Sequence, residues 1–350
     1  MRVALLHNLV AADAIASDQD TLVQVAAIRA ALERLGHETS AFGCSLDLEA
    51  VRCWLLQTQP DMVFNLVESL GGSDGLALLA TALLDNLGVA YTGNRTEATF
   101  LSNHKVLAKQ QLCQAGLPTP GWLALDSQPL FGDDGYFGDP AFRPQMPYII
   151  KTASEHASIG MDELAVVSCA TVEELKDVIR QRSVLIGKPC FAEQYVEGRE
   201  FNVAMLAGPE GPEVLPPSEI LFSAFPPEKV RIVDYRAKWV EGSFEFENTP
   251  RHFDFGPQDQ PLLDRQARLA QSCWKLFRLA GYARVDFRVD SAGHPWILEI
   301  NTNPCIAPES GFAATIEQAG LGYDNLIHRI VEDAAARAAA ADAFAVAVWE

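Results

Sequence analysis

The chain is 350 residues long, 49% hydrophobic and 21% charged, a globular profile that excludes extended disorder, a collagen-like repeat or a coiled coil. This length exceeds what one hydrophobic core usually organises and predicts two or three domains. Against 27 Lys plus Arg stand 46 Asp plus Glu, a formal charge of −19 with no long single-sign run; the field disfavours nucleic acid and anionic membrane as partners and leaves room only for a small phosphate ligand held by a few placed cations.

From the N-terminus, the apolar run Arg2 to Leu6 is too short for a signal peptide, and the odd number of cysteines, without a CxxC pair, suits reduced thiols, so a cytoplasmic protein is expected. A helix follows, with Leu22, Val25, Ala26, Ile28, Ala31, Leu32 and Leu35 as its apolar positions, closing at Gly36. Next come a strand at Asp61 to Val67, a helix from about Leu76 to Leu87 and a strand-like GVAYTG, so the first ~100 residues predict a parallel α/β sheet. Ser102 is the expected N-cap of a helix through Gln114. Residues 126 to 147, rich in Gly, Pro and Asp, read as an irregular excursion before the strand PYIIK, and Thr171 with Glu174 forms a capping box for a helix to about Arg182. Then follow CFAEQYV, a turn at Glu197 to Arg199, FNVAML, a helix from about Leu262 to Leu279, and a C-terminal helix with Leu326, Ile327, Ile330 and Val331 as its buried stripe.

The strongest chemical signal is the segment ARVDFRVDSAGHPWILEINTNP, which reads as a hairpin turning at Asp290 to Pro295. A symmetric turn pairs Val289 with Trp296, Phe287 with Leu298 and Val285 with Ile300 on one apolar face, and Asp286 with Glu299 and Arg284 with Asn301 on the other. Opposed carboxylates destabilise a sheet, yet the apolar face fixes the register. A divalent cation held by Asp286, Glu299 and Asn301 resolves the conflict, and an all-oxygen set favours Mg²⁺ or Mn²⁺, the usual companion of a nucleoside triphosphate. The competing account of an isolated D-x-R is a pairing of Asp286 with Arg284 or Arg288 on a solvated face.

Neither GxxxxGK[ST] nor GxGxxG occurs. Lys151 instead ends an apolar strand and is followed by a loop of small residues, Glu155 to Met161, whose N–H groups could wrap a triphosphate.

Together, FNLVE at 64 to 68, YTG at 91 to 93, Lys105, Lys151 with SEHASIGM, FAEQYVEGRE, DYRAKW and RVDFR…LEINTNP resemble an ATP-grasp ligase of the D-alanine:D-alanine ligase group, in the family's order and over nearly the whole chain. The resemblance implies an α/β ATP-grasp fold: an N-terminal parallel-sheet domain (1–98), a small central domain (99–190) and a larger C-terminal domain with an antiparallel sheet (191–350), with ATP clamped between the last two. It implies that Lys105, Lys151 and Lys238 reach the phosphates, that Ser158 belongs to the phosphate loop, that Glu193 and Val196 meet the adenine, and that Glu200 holds the ribose. Asp286, Glu299 and Asn301 fall on the family's Mg²⁺ ligands, Arg284 on the residue that holds an oxyanion or substrate carboxylate, and Ser310 on one that assists the second substrate's carboxylate. The implied reaction phosphorylates a carboxylate and lets an amine attack the acyl phosphate; the implied partners are small carboxylate and amine substrates and a second copy in a homodimer.

The substrate pockets depart from that group. Ala157 replaces a serine, Trp239 a tyrosine, Glu68 a histidine, Cys305 a glycine and Gly311 a leucine; for the N-terminal glutamate only Asp18 or Asp20 is near. The expectation drawn is a ligase acting on an amino acid or small peptide other than D-alanine, the alternatives being D-alanyl-D-alanine synthesis for peptidoglycan and a nucleotide-binding protein without turnover. Glu68 either brings an anion to the first pocket, favouring a cationic substrate, or caps a helix or faces water. Cys305 reads as a small buried thiol, His156 as an exposed loop imidazole that could touch phosphate, and Lys238 has the competing reading of a cation stacked on Trp239.

Overall fold

The computed structural model describes residues 1–11, 14, 16–125 and 143–349; most of the expected excursion at 126–147 lies outside the described residues. Near the N-terminus, β1 (Arg2–Asn8), β2 (Glu38–Cys44) and β3 (Met62–Leu66) form a parallel sheet in the order β2-β1-β3. Both its faces are covered, and β1 and β3 read as near-continuous apolar runs, whereas β2, at the edge of the sheet, mixes polar and apolar residues. On one side α1 (Ala16–Arg34) buries Val25, Ile28, Ala31 and Leu32; Leu22, expected on that stripe, is 46% exposed because it falls on the outer edge. On the other lie α2 (Leu48–Thr58) and α3 (Leu78–Leu87). The expected strand GVAYTG is reduced to one parallel bridge between Val63 and Tyr91, after which Gly93 and Asn94 lead the chain away.

The single helix expected from Ser102 is two: α4 (Thr96–Asn103) and α5 (Lys105–Gln114). His104, extended at φ −97° and ψ 98°, breaks the helix and caps α5 by accepting from Leu107 N, while the Ser102 hydroxyl sits 3.1 Å from Thr302 Oγ1. The break lets the Lys105 N–H donate to Ala153 O, which ties α5 to the next sheet.

That sheet is antiparallel, β4 (Trp122–Ala124), β5 (Pro147–Thr152), β6 (Val166–Ser168) and β7 (Cys190–Gln194), ordered β4-β7-β5-β6 and backed by α6 (Val172–Ile186). Thr171 caps α6 as expected, accepting from Glu174 N; the Glu174 carboxylate reaches back to Ala170 N, one residue before the cap.

The largest sheet runs β11-β10-β8-β12-β13, with β9 beside β8: β8 (Arg199–Leu206), β9 (Glu213–Val214), β10 (Ser218–Ile220), β11 (Arg251–His252), β12 (Tyr282–Val289) and β13 (Pro295–Asn301). The short helices α7 (Tyr235–Trp239) and α8 (Phe244–Glu247) lie between β10 and β11, and α9 (Gln260–Leu276) packs on the sheet's apolar face. Gly198 makes the turn into β8 at φ 147°, where any Cβ would lie 1.9 Å from Val289 O, so only glycine fits. Finally α10 (Gly311–Gln318) and α11 (Tyr323–Trp349) return to the first sheet, where Leu326, Ile327, Ile330 and Val331 form the expected stripe within its core.

The hairpin register is half as expected. Arg284 faces Asn301, Val285 faces Ile300 and Asp286 faces Glu299, but a bulge between Asp286 and Phe287 then shifts the ladder, so Phe287 faces Ile297, Arg288 faces Trp296 and Val289 faces Pro295. Leu298 is the extra residue; it leaves the apolar face, which keeps Val285, Phe287, Val289, Ile297 and Ile300.

Candidate active site

A cleft opens between the polar face of the β8-β12-β13 sheet and the β5-β7 sheet, roofed by the loop 155–161 and by residues 232–238. Lys105, Lys151, Ser158, Glu193, Val196, Glu200, Lys238, Asp286 and Glu299 all line it, and Asn301 lines a smaller cavity beyond. Arg284 and Ser310 line neither: Arg284 reaches the cleft through Asp286, and the Ser310 hydroxyl caps α10 by accepting from Ala313 N.

The cations reach the cleft from three directions. Lys105, at the start of α5, donates to Glu155 O at 2.6 Å and lies 3.5 Å from Glu299 Oε2. Lys151, the penultimate residue of β5, donates to Glu193 Oε1 at 2.6 Å. Lys238 arrives on α7, which Asp234 caps through Ala237 N; burial pushes its pKa below the ordinary lysine range. Trp239 donates instead to Ala157 O at 3.2 Å, and no Lys238–Trp239 stack occurs among the described ring contacts. A fourth lysine escapes the sequence reading. Lys109, one turn beyond Lys105, is 1% exposed, lies 2.5 Å from Glu193 Oε2 and donates to Thr119 Oγ1 and Pro120 O. Burial lowers its pKa, while the two lysines hold Glu193 in its charged form despite burial.

Opposite the lysines stands the carboxylate face. Asp286 Oδ1 accepts from Asn202 Nδ2 (2.7 Å) and Arg284 Nε (2.7 Å), and its Oδ2 accepts from Arg284 (2.8 Å), so the Arg284 pairing and the convergence with Glu299 both occur, in a buried setting rather than on a solvated face. Burial alone would raise the Glu299 pKa, but Lys105, Lys238 and Arg284 drive it well below the carboxylate range. Asp286, Glu299 and Asn301 lie on one face, and their side-chain oxygens are of the hard kind a small divalent cation takes, with Asn301 Oδ1 also accepting from Asn303 N. Glu200, raised by burial, pairs with Arg288 at 3.1 Å. Ile149, Met161, Ile232 and Leu298 supply the apolar walls, and of these only the bulge brings Leu298 there.

The loop 155–161 is fastened from several sides. His156 N donates to Asp74 Oδ2 (2.6 Å); the Glu155 carboxylate accepts from Ser73 Oγ, Asp74 N and Lys188 Nζ; Ser158 Oγ donates to Val233 O (2.7 Å). Ala157 and Ser158 are held at φ 56° and 59°, a left-handed conformation that such residues adopt only when the surroundings impose it. His156 is not an exposed imidazole: its Nδ1 is buried, and burial together with the neighbouring Lys105 pushes its pKa down to about 3.

Glu68 lines the smaller cavity and caps no helix; its Oε1 accepts from Gln24 Nε2 at 3.2 Å. Burial, reinforced by the carboxylates of Asp74 and Asp20, pushes its pKa up to about 8. Asp20 also accepts from Cys305 Sγ at 3.1 Å, and its carboxylate acts on Glu68; the side chain of Asp18 lies outside the described residues. Burial raises the pKa of the Cys305 thiol far above the range of a nucleophile, although the residue is half-buried rather than fully buried as expected.

The profile of the family described as "D-ala D-ala ligase C-terminus" matches residues 112–332. The chain belongs to the D-alanine:D-alanine ligase family. It is 31% identical over 321 residues to the D-alanine:D-alanine ligase of Caulobacter vibrioides, with 91% of this chain and 90% of that protein covered. It is 30% identical over 330 residues to that of Synechococcus sp. (strain JA-3-3Ab), covering 93% and 92%. The fold matches the D-alanine:D-alanine ligase of Bacillus anthracis, solved in complex with ATP, at a TM-score of 0.69 and 21% identity, covering 97% of this chain and 98% of that one. The enzyme from Coxiella burnetii matches at 0.69 and 18% identity, covering 99% and 97%. Membership makes this an ATP-grasp ligase of the kind that forms carbon–nitrogen bonds, with the ATP-grasp fold that the motifs imply. Among the described residues no helix is long and apolar enough to cross a membrane.

Proposed function

We propose that the chain is an ATP- and Mg²⁺-dependent ligase that joins a small carboxylate to an amine through an acyl phosphate. The observation that carries it is the single cleft in which Lys105, Lys151 and Lys238 face Asp286 and Glu299, with Arg284 behind Asp286. The lysines neutralise the phosphates from three directions; Asp286, Glu299 and Asn301 would hold the metal, which would supply charge neutralisation on the group in transit. Arg284, fixed by two hydrogen bonds to Asp286, offers its remaining N–H groups to an oxyanion or carboxylate. The loop 155–161 and α7 close the cleft and keep water from a reactive acyl phosphate.

D-Alanine is the first substrate to test, because relatives at about 30% identity carry that name. A second reading, a first substrate other than D-alanine, is favoured by the departures of the first pocket from that group, Glu68 standing in place of a histidine and near Asp20. ADP release over D- and L-amino acids, singly and in pairs, separates the two. Turnover with D-alanine alone, yielding the dipeptide, supports the first; turnover only with another pair supports the second. Silence with every acid and amine together sinks the ligase proposal.

Glu68 adds a pH dependence. Its pKa of about 8 leaves it neutral below that pH, so the affinity for an ammonium-bearing first substrate is expected to rise as pH passes upward through 8. Glu68→Gln should flatten the corresponding fall in KM with pH; an unchanged profile would show that Glu68 does not meet the substrate.

A further inference from the structure

His156 is the only large polar ring in the loop 155–161, and the established chemistry of phosphate cradling does not require it. Among the described residues it alone lines both the nucleotide cleft and the smaller cavity that holds Glu68, Asn301 and Asn303. It therefore stands at the wall between the side that carries the phosphates and the side on which a substrate is bound.

Its tautomer follows from its neighbours. The Asn103 amide nitrogen donates to Asp74 O at 3.2 Å, which turns Asn103 Oδ1 toward His156 Nε2, 3.4 Å away. Turned the other way, the amide would set oxygen against oxygen at Asp74. Nε2 thus carries the proton, and Nδ1 is left with a lone pair that is buried and has no partner. A buried nitrogen without a partner is costly unless something supplies a donor. Phosphate oxygens cannot, since they only accept; an ammonium or amine can.

We infer that His156 Nδ1 accepts a hydrogen bond from a substrate amine at the junction of the two cavities. The role is one of positioning. As the neutral amine nitrogen bonds to the acyl carbon, the carbon–oxygen bond to phosphate breaks, phosphate departs with the bonding pair and takes up the proton that the nitrogen gives up; His156 fixes one N–H of a substrate amine and so the direction of the approach. The amine is either the nucleophile itself or the amino group of the substrate being activated. The inference rests on the ligase reading.

Two measurements test it. Nitrogen-15 NMR of the imidazoles, with the His156 signals assigned by their loss in His156→Asn, is expected to show Nε2 protonated and Nδ1 bare at pH 7. A protonated Nδ1 overturns the inference whether or not the protein turns over, which separates its failure from that of the ligase reading. In the second, His156→Phe keeps the ring without the acceptor, and His156→Asn restores an oxygen acceptor near the Nδ1 position. His156→Phe should lower amide formation by roughly 10²-fold, and His156→Asn should stay within about tenfold of the parent. Trapping the acyl phosphate with hydroxylamine then tells the amines apart. Trapping that survives in His156→Phe marks the nucleophile; trapping lost in step with turnover marks the activated substrate. Equal rates in the Phe and Asn variants, with both folded by circular dichroism, overturn the inference.

Discussion

Glu299→Gln is expected to lower turnover by roughly 10²–10³-fold while the protein stays folded. The change keeps the shape of the side chain and removes one of the two charges that face each other across β12 and β13. Lys105 loses a carboxylate at 3.5 Å but keeps its 2.6 Å hydrogen bond to Glu155 O, so its ammonium is not left without a partner. With Glu299 neutral, Lys105, Lys238 and Arg284 dominate the field, and a divalent cation would be held by one carboxylate and by amide oxygens. The Mg²⁺ concentration needed for half-maximal rate should therefore rise along with the loss in kcat. A variant within threefold of the parent on both counts would show that Glu299 is not a metal ligand.

A different kind of loss is expected at Glu193. In Glu193→Gln two lysines, Lys109 and Lys151, face a neutral amide, and Lys109 has no water to turn to, being 1% exposed. Removing one partner of such a buried set costs about 3–5 kcal/mol, far more than the set contributes over an apolar replacement. The double variant Glu193→Gln with Lys109→Met should therefore recover part of the stability lost by the single one. The pH dependence has a definite sign. The Glu193 pKa is held below its ordinary value, so its stabilisation is complete above the ordinary carboxylate range and fades as the pH falls through the folded-state value. Urea unfolding midpoints at neutral pH measure these differences; a single variant as stable as the parent would show that the lysines find other partners.

The parts legible in the sequence are those governed by local alternation. Strands β1 and β3, the C-terminal stripe and the facing of Asp286 with Glu299 all follow from patterns a few residues long, whereas β2, with polar residues among its apolar ones, and α2 are not expected from the sequence; the motif order is enough to identify the family. What escapes is set by distant chain. The bulge at Leu298 depends on how β12 is already held by β8, and a symmetric turn cannot reveal it. Lys109 looks like an ordinary helical lysine until β7 brings Glu193 to it. The helix break at His104 serves a bond to Ala153, nearly fifty residues away, and the fastening of Glu155 and His156 to Ser73 and Asp74 joins segments some eighty residues apart.

The single extra residue in β13 makes the strand modular. Removing Leu298 would restore an unbroken ladder with Glu299 still opposite Asp286 and Ile297 still opposite Phe287. The bulge thus works as an insertion that adds an apolar side chain to the nucleotide cleft without moving the charged residues on one side of it or the packed ones on the other. Variation at residue 298 can retune the apolar wall of the cleft while the charged pair a residue away is inherited unchanged.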